Sequence, residues 1–305
     1  MAKVTNFNFM GVRKILGAMS ILLVLGSIVS LSTQFLALGL DFTGGTQIEV
    51  EFDKAADLEA VRKTLKESAY SEAEVQHFGR PEEVLVRVPP VNGEDKDKVG
   101  DNIMVLLKTD DPGVQKKRVE FVGPQVGKEL RDKSGLALII ALGLMLLYVT
   151  FRFRFKFALG GVVALFHDVI ITMGFFSVTR LQFDLTAMAA VLAVIGYSLN
   201  DTIVVYDRVR ENFRKLRVES PEEIINISLN QTLSRTLMTS FTTLLVLFAL
   251  AAVGGEMIFG FAMALIVGIG VGTYSSIYVA SNLLLAQNIS RDDFIEREKI
   301  VDDMP

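Results

Sequence analysis

Half of the 305 residues are hydrophobic and only 22% are charged, with a formal net charge of -4 and a mean hydropathy of +0.41, so the chain cannot tile an aqueous surface and is expected to be an integral membrane protein with one soluble piece. The negative balance excludes a general grip on nucleic acid through its phosphates. No cysteine and only two histidines exclude disulfide frameworks, thiolate catalysis, iron–sulfur clusters and multi-histidine or thiolate metal centres, so neither cofactor nor metal is expected.

A spanning helix needs about 20 mostly apolar residues. Six stretches qualify: Ile15–Leu36, Leu136–Phe151, Phe157–Thr179, Leu185–Tyr206, Thr236–Gly254 and Ile258–Ala286. Lys3, Arg13 and Lys14 precede the first, but its apolar run exceeds the roughly 7–15 residues of a cleavable signal, so it reads as a retained anchor. Residues 37–134 form the soluble piece. In Thr46–Phe52, Ile48, Val50 and Phe52 alternate with Gln47, Glu49 and Glu51, as a half-buried strand requires. Leu58, Val61 and Leu65 recur at helical spacing in Lys54–Ser68. Glu74–Phe78 is a second strand, the turn Gly79-Arg80-Pro81-Glu82 follows, and Val84, Val86 and Val88 line a third strand that ends at Pro89-Pro90. Val99, Ile103 and Leu106 mark a second helix, and Val119 with Phe121 a fourth strand. The order β-α-β-β-α-β is that of a ferredoxin-like α+β sandwich. It carries no phosphate loop, metal cluster or nucleophile–base pair, so it reads as a binding or lever module. Gly44 and Gly45, between the first span and the first strand, permit a sharp exit from the membrane; direct contact with substrate is the alternative.

Lys and Arg in short loops mark the cytoplasmic side. Arg152, Arg154 and Lys156 fill one connection, and Arg208, Arg210, Arg214, Lys215 and Arg217 follow the fourth span. The opposite turns hold only Arg180 and Asp184, then Glu256. The amino terminus (1–14), the loop 207–235 and the tail 287–305 are therefore expected in the cytoplasm, with 37–134 outside, in the periplasm where the cell has one.

Polar residues inside spans are costly unless paired or hydrated, and so mark function by default. His167 and Asp168 lie near the middle of span three, and Asn200 and Asp201 in the inner half of span four. Arg235 stands at the mouth of span five at the depth of Asp201, and Tyr197 shares the helical face of Asp201. A carboxyl in low dielectric favours its neutral form and a neighbouring guanidinium its charged form. Movement of Arg235 relative to Asp201 is thus the minimum for a proton-coupled switch; a static ion pair that fixes packing is the competing reading. His167 reads as a hydrogen-bonded packing residue more than a relay. Asp168, about 100° further round the helix, is open between the two roles and need not share the partner of His167. Asn200 reads as an interhelical hydrogen-bond former. Gly260, Ala264, Gly268, Gly272 and Ser276 form a small-residue stripe for close helix approach. Gly160-Gly161 and Gly254-Gly255 read as caps or turns at span ends.

Several motifs lie along this plan in order: Leu38-Gly39-Leu40-Asp41-Phe42-Thr43-Gly44-Gly45-Thr46, Val122-Gly123-Pro124-Gln125-Val126-Gly127, Phe166-His167-Asp168, Gly196-Tyr197-Ser198-Leu199-Asn200-Asp201-Thr202 with Asp207-Arg208-Val209-Arg210-Glu211-Asn212, and Ser234-Arg235-Thr236-Leu237-Met238-Thr239-Ser240. Together they resemble the SecD/SecF family of protein-export membrane subunits, of the resistance-nodulation-division (RND) superfamily, over essentially the whole chain. The resemblance implies an RND-like helix bundle in the bacterial cytoplasmic membrane and an obligate complex with SecD. It implies the SecYEG translocon and YajC as neighbours, SecA as the ATP-driven counterpart, and unfolded preprotein as the substrate moved late in translocation by the proton motive force. It also implies that Asp201 and Arg235 are the family's proton-path aspartate and essential arginine, with a further aspartate supplied by SecD. Tyr206 stands where phenylalanine is usual.

The expected role is therefore a non-enzymatic accessory subunit of protein export. A passive scaffold for SecD and the translocon would need shape but not the charges of Asp201 and Arg235. A small-molecule proton antiporter would need larger outer domains. An intramembrane protease built on Asp168 and Asp201 lacks both a Gly-x-Gly-Asp segment and a His-Glu-x-x-His helix.

Overall fold

The computed structural model describes residues 6–90, 96–216, 220–290 and 293; Lys3, Arg217 and the tail 294–305 lie outside the described residues. In chain order the elements are α1 (Arg13–Thr33), β1 (Ala37–Leu38), α2 (Leu40–Thr43), β2 (Gly45–Glu51), α3 (Leu58–Lys66), β3 (Glu74–Phe78), β4 (Arg80–Val88) and α4 (Lys96–Asp110). They continue with β5 (Gln115–Val122), α5 (Pro124–Arg152), α6 (Phe155–Thr179), β6 (Gln182–Phe183), α7 (Leu185–Lys215), α8 (Pro221–Val253) and α9 (Glu256–Ala286).

Among the described residues six helices are long and apolar enough to cross a membrane: α1 with its leading turn, α5, α6, α7, α8 and α9. Enclosure divides them. α6 and α7 are largely buried inside the bundle, whereas α1, α5 and α8 keep most of their apolar surface outward, as lipid-facing helices do. Several helices outrun their apolar stretches. Segment 207–235, expected as a loop, is helix up to Lys215 and again from Pro221. Charge pairs at helical spacing hold this polar extension, with Arg208 at 2.9 Å and Lys215 at 2.6 Å from Glu211. Asn212 ties it to α8 through Ser228 and Gln231, and Pro221 at the first turn of α8 is pre-set for helix.

α9 packs along α7 through two glycines of its stripe. A Cβ at Gly268 would overlap Val194, and one at Gly272 would lie 3.0 Å from the Cβ of Ser198. Gly260 meets only the Gln182 carbonyl at 3.5 Å and does not require glycine. Gly160 is not a cap: it lies inside α6, where a Cβ would overlap the Tyr206 hydroxyl, which donates to the Ala280 carbonyl at 3.3 Å.

The sheet runs β3-β4-β2-β5 with every neighbour antiparallel, the order of a ferredoxin-like split βαβ unit. Ile48, Val50, Val84, Val86 and Val88 pack under Val61 and Leu65 of α3 and Val99, Ile103 and Leu107 of α4. α3 starts later than expected because Asp57 caps it, accepting from the Glu59 and Ala60 amides. Val119 and Phe121, which mark the fourth strand, are exposed on edge strand β5, whose register shifts opposite Glu49 and Val50.

The opposite, polar face of the sheet looks onto the bundle. Arg87 donates to the Leu38 carbonyl at 3.1 Å, and Arg118 reaches Met257 at the start of α9. Strands β1 and β6, too short to read from sequence, pair in parallel and tie the exit of α1 to the α6–α7 turn. A crevice of about 490 Å³ lies between the two layers, bordered by Leu36, Thr43, Glu74, Arg87, Pro89 and Arg180.

Candidate functional site

Asp201 sits on the α7 sector facing α8 and is 3% exposed. Its Oδ2 is buried without a hydrogen-bond partner among the described residues. Two groups of α8, Arg235 and Ser240, act on the carboxylate electrostatically. Arg235 lies on the exposed rim of α8 and forms no ion pair with Asp201, so the static pair is not made. The Ser240 hydroxyl is engaged with Thr273 of α9 at 2.7 Å. Thr273 spends its own proton on the Ile269 carbonyl at 2.8 Å, so the Ser240 proton serves either Thr273 or Asp201, but not both.

Tyr197 shares this face, with its hydroxyl 3.5 Å from Thr243 of α8, the outer limit of a hydrogen bond. Asn200 makes no interhelical bond among the described residues. The buried sector of α7 runs through Ser198, Asp201 and Thr202 and turns Asn200 to the surface.

A second polar centre lies where α6, α7 and α9 meet. Asp168 is 0% exposed; its Oδ2 accepts from the Ser198 and Ser275 hydroxyls, the latter at 2.7 Å, and its Oδ1 lies 2.8 Å from His167 Nδ1. The two residues are thus each other's partners, a contact that their angular offset does not announce. The offset fixes Cβ directions only. Hydroxyls from α7 and α9 hold the carboxylate, and the adjacent imidazole swings to meet it. The ring is 5% exposed and stacks on Tyr274 at 6.3 Å between centroids. Among the described residues no three His, Asp or Glu side chains converge as a metal would require.

The double glycine is a structural joint. Gly44 and Gly45 have φ of 69° and 120°, a region that L side chains rarely adopt. A Cβ on Gly44 would lie 2.9 Å from Pro124 Cα, and one on Gly45 would overlap the Val88 carbonyl. The preceding Asp41 was missed by sequence reasoning. Its Oδ2 accepts from the Leu185 amide at 3.0 Å, beside the N-cap Asp184, which accepts from Ala187 at 2.7 Å. One short motif therefore holds β2, the start of α5 and the free amides of the α7 N-terminus. The only local signal was an acid after a helix end with no partner nearby in sequence.

The family described as "Protein export membrane protein SecD/SecF, C-terminal" matches residues 102–289, and the "SecD/SecF GG Motif" matches residues 29–56. The protein translocase subunit SecF of Pseudomonas aeruginosa is 50% identical, with 99% of each chain covered. Its counterpart from Escherichia coli O157:H7 is 44% identical over 91% of this chain and 86% of that one. Among solved structures, SecDF, a translocon-associated membrane protein from Thermus thermophilus, matches 94% of this chain with a TM-score of 0.85 at 40% identity. SecDF in a super-membrane-facing form matches 93% with a TM-score of 0.70 at 39% identity. This chain spans 40% and 39% of those two chains. It belongs to the SecD/SecF family of protein export membrane proteins.

Proposed function

We propose that the chain is a non-enzymatic, SecF-type subunit of the bacterial Sec export machinery that works with SecD to draw preproteins outward, late in translocation, at the expense of the proton motive force. The carrying observation is Asp201: a buried carboxylate with an orphaned oxygen and a guanidinium that acts on it without pairing. A buried acid in that state is relieved either by taking up a proton or by approach of the cation. The two solutions call for two packings of α7 against α8. The α7 N-terminus is held by Asp41, so a shift of α7 is felt at β2 and hence by the outer sheet.

The basic residues Arg152, Arg154, Lys156, Arg208 and Arg210 set their end of the bundle in the cytoplasm of the inner membrane. The sheet then stands outside, with the crevice beneath it open to an emerging chain delivered by SecYEG. The exposed Leu237, Met238, Phe241, Leu245 and Phe248 of α8, flanked by Asn200 and Arg235, suit the helices of SecD. The chain's 40% share of the SecDF chain supports such a missing half.

In inverted vesicles holding SecD, SecYEG and SecA, Asp201→Asn and Arg235→Met are expected to lower gradient-dependent translocation by about tenfold or more, with ATP-driven initiation intact. Variants that still bind SecD and export at the native gradient-dependent rate would make the chain a passive scaffold.

A further inference from the structure

A cavity of about 430 Å³ opens between α1, α6 and α9, walled by Ile21, Leu25, Phe166 and Ile170, with His167 and Asn282 in its lining. It shares Gly17, Ile21 and Asn282 with a second cavity of about 490 Å³ that carries Arg13 and Lys14. Two buried polar atoms of this lining, His167 Nε2 and Asn282 Oδ1, have no hydrogen-bond partner among the described residues. Buried polar groups left unpaired are costly and call for a reason.

The bonding around Asp168 supplies one. Its Oδ2 faces the Ser198 and Ser275 hydroxyls, and the Ser275 proton has a second acceptor in the Gly272 carbonyl at 3.2 Å. A single proton lies between Oδ1 and His167 Nδ1; in the anionic pair it sits on Nδ1, and Nε2 holds a bare lone pair. That bare Nε2, without a hydrogen-bond partner among the described residues, is open to a second proton. The product is an imidazolium facing a carboxylate or, with the same proton count, a neutral imidazole facing a carboxylic acid. In both forms Nε2 carries the arriving hydrogen.

We infer that His167 Nε2, oriented by Asp168, is a second proton-binding site of the bundle, reached from the cytoplasmic end through the cavity between α1, α6 and α9. The inference rests on the proton-coupled reading above and adds a station to it. α9 links the two centres, presenting Thr273 to Ser240 beside Asp201 and Ser275 to Asp168. Ser198 and Asp201 lie one turn apart on α7. The titratable and charged groups around the site are Tyr274 on α9, Asp201 a turn away on α7, and Arg13 and Lys14 at the mouth on α1. Arg13 is already paired with Glu222 of α8 at 2.5 Å.

The chain has two histidines, and His77 is exposed on β3, so His77→Gln leaves His167 as the sole imidazole. This chain, labelled with nitrogen-15 histidine and reconstituted in lipid with unlabelled SecD, reports the protonation of each ring nitrogen by solid-state NMR. On acidification from about pH 8 to 5, Nε2 is expected to pass from bare to protonated in one reversible step. Asp168→Asn is expected to abolish the step. Ser198→Ala, which keeps the carboxylate and removes one donor, is expected to displace its midpoint and decides the matter where Asp168→Asn fails to assemble. Nitrogen signals constant across the range overturn the inference, as does a titration indifferent to the substitutions. If His167 titrates while Asp201→Asn exports normally, the proton-coupled reading falls and the site stands. A silent His167 with export lost in Asp201→Asn means the reverse.

Discussion

Asp168 and Asp201 are buried acids on adjacent helices of one bundle, and the protein solvates them to opposite degrees. Asp168 faces three donors drawn from α6, α7 and α9. Asp201 has an oxygen with no partner and a guanidinium held off at the rim of α8. The packing follows the same division. Gly268 and Gly272 press α9 against α7 beside Asp168, whereas near Asp201 the Tyr197 hydroxyl of α7 meets Thr243 of α8 at the outer limit of a hydrogen bond and Ser240 of α8 is engaged with α9. Burial alone therefore does not mark a moving part. The count of donors separates a carboxylate fixed in place from one that still has a choice of partner.

Stability should display the contrast most strongly. Asp168→Ala strands two hydroxyls and an imidazole in the bundle and is expected to cost about 3–5 kcal/mol. Asp201→Ala removes a group that is itself unsatisfied and should cost about 1 kcal/mol or less. Thermal unfolding of the purified complex with SecD measures both, and equal losses would erase the distinction. Next in size is Gly268→Ala. Its methyl must displace a fully buried Val194, an overpacking cost of about 1–3 kcal/mol. Val194→Ala should restore most of it, and failure of that rescue would show that the close approach does not hold the Asp168 side. Asp41→Ala removes one acceptor from the α7 N-terminus, worth about 1 kcal/mol. Export should fall further than that loss implies, with SecD binding retained, because the link from α7 to β2 is cut. Export unchanged in this variant would detach the outer sheet from Asp201.

The six spans and the sheet order were legible because both rest on local patterns: apolar runs for the helices, and alternation or helical spacing for the sandwich. The helix at 207–215 was read as loop because hydropathy registers polarity, whereas Arg208, Glu211 and Lys215 are polar at helical spacing. The environment of Asp168 was hidden for another reason. Its hydroxyl partners, Ser198 and Ser275, are far away in sequence and lie on two other helices, so no periodicity announces them. Asp41 escaped likewise, since its partner is the amide of Leu185. Asp201, Arg235 and Tyr197 were legible as residues. That Asp201 and Arg235 do not touch was not, because spacing along one helix carries no distance to the next.

A third acid extends the contrast to water. Glu49, on the polar face of the sheet, is partly buried, and that burial pushes its carboxyl above the usual range, with Glu120 and Glu83 adding to the rise and Arg118 opposing it. The folded chain thus holds this proton more tightly than the unfolded chain does. Its contribution to stability is fully present below the unfolded value and is lost as pH rises through the folded one. Hydrogen exchange at the β2 amides, corrected for intrinsic rates, should show protection declining as pH rises above the ordinary carboxylate range. Glu49→Gln, which mimics the protonated form, should flatten that decline. The effect is expected to be the smallest of the set, because the side chain remains largely solvated and screened. Matching profiles for the two chains would assign the decline to other carboxyls. A flat native profile would mean that this sheet face is as wet as bulk solvent, leaving dielectric burial to the bundle alone.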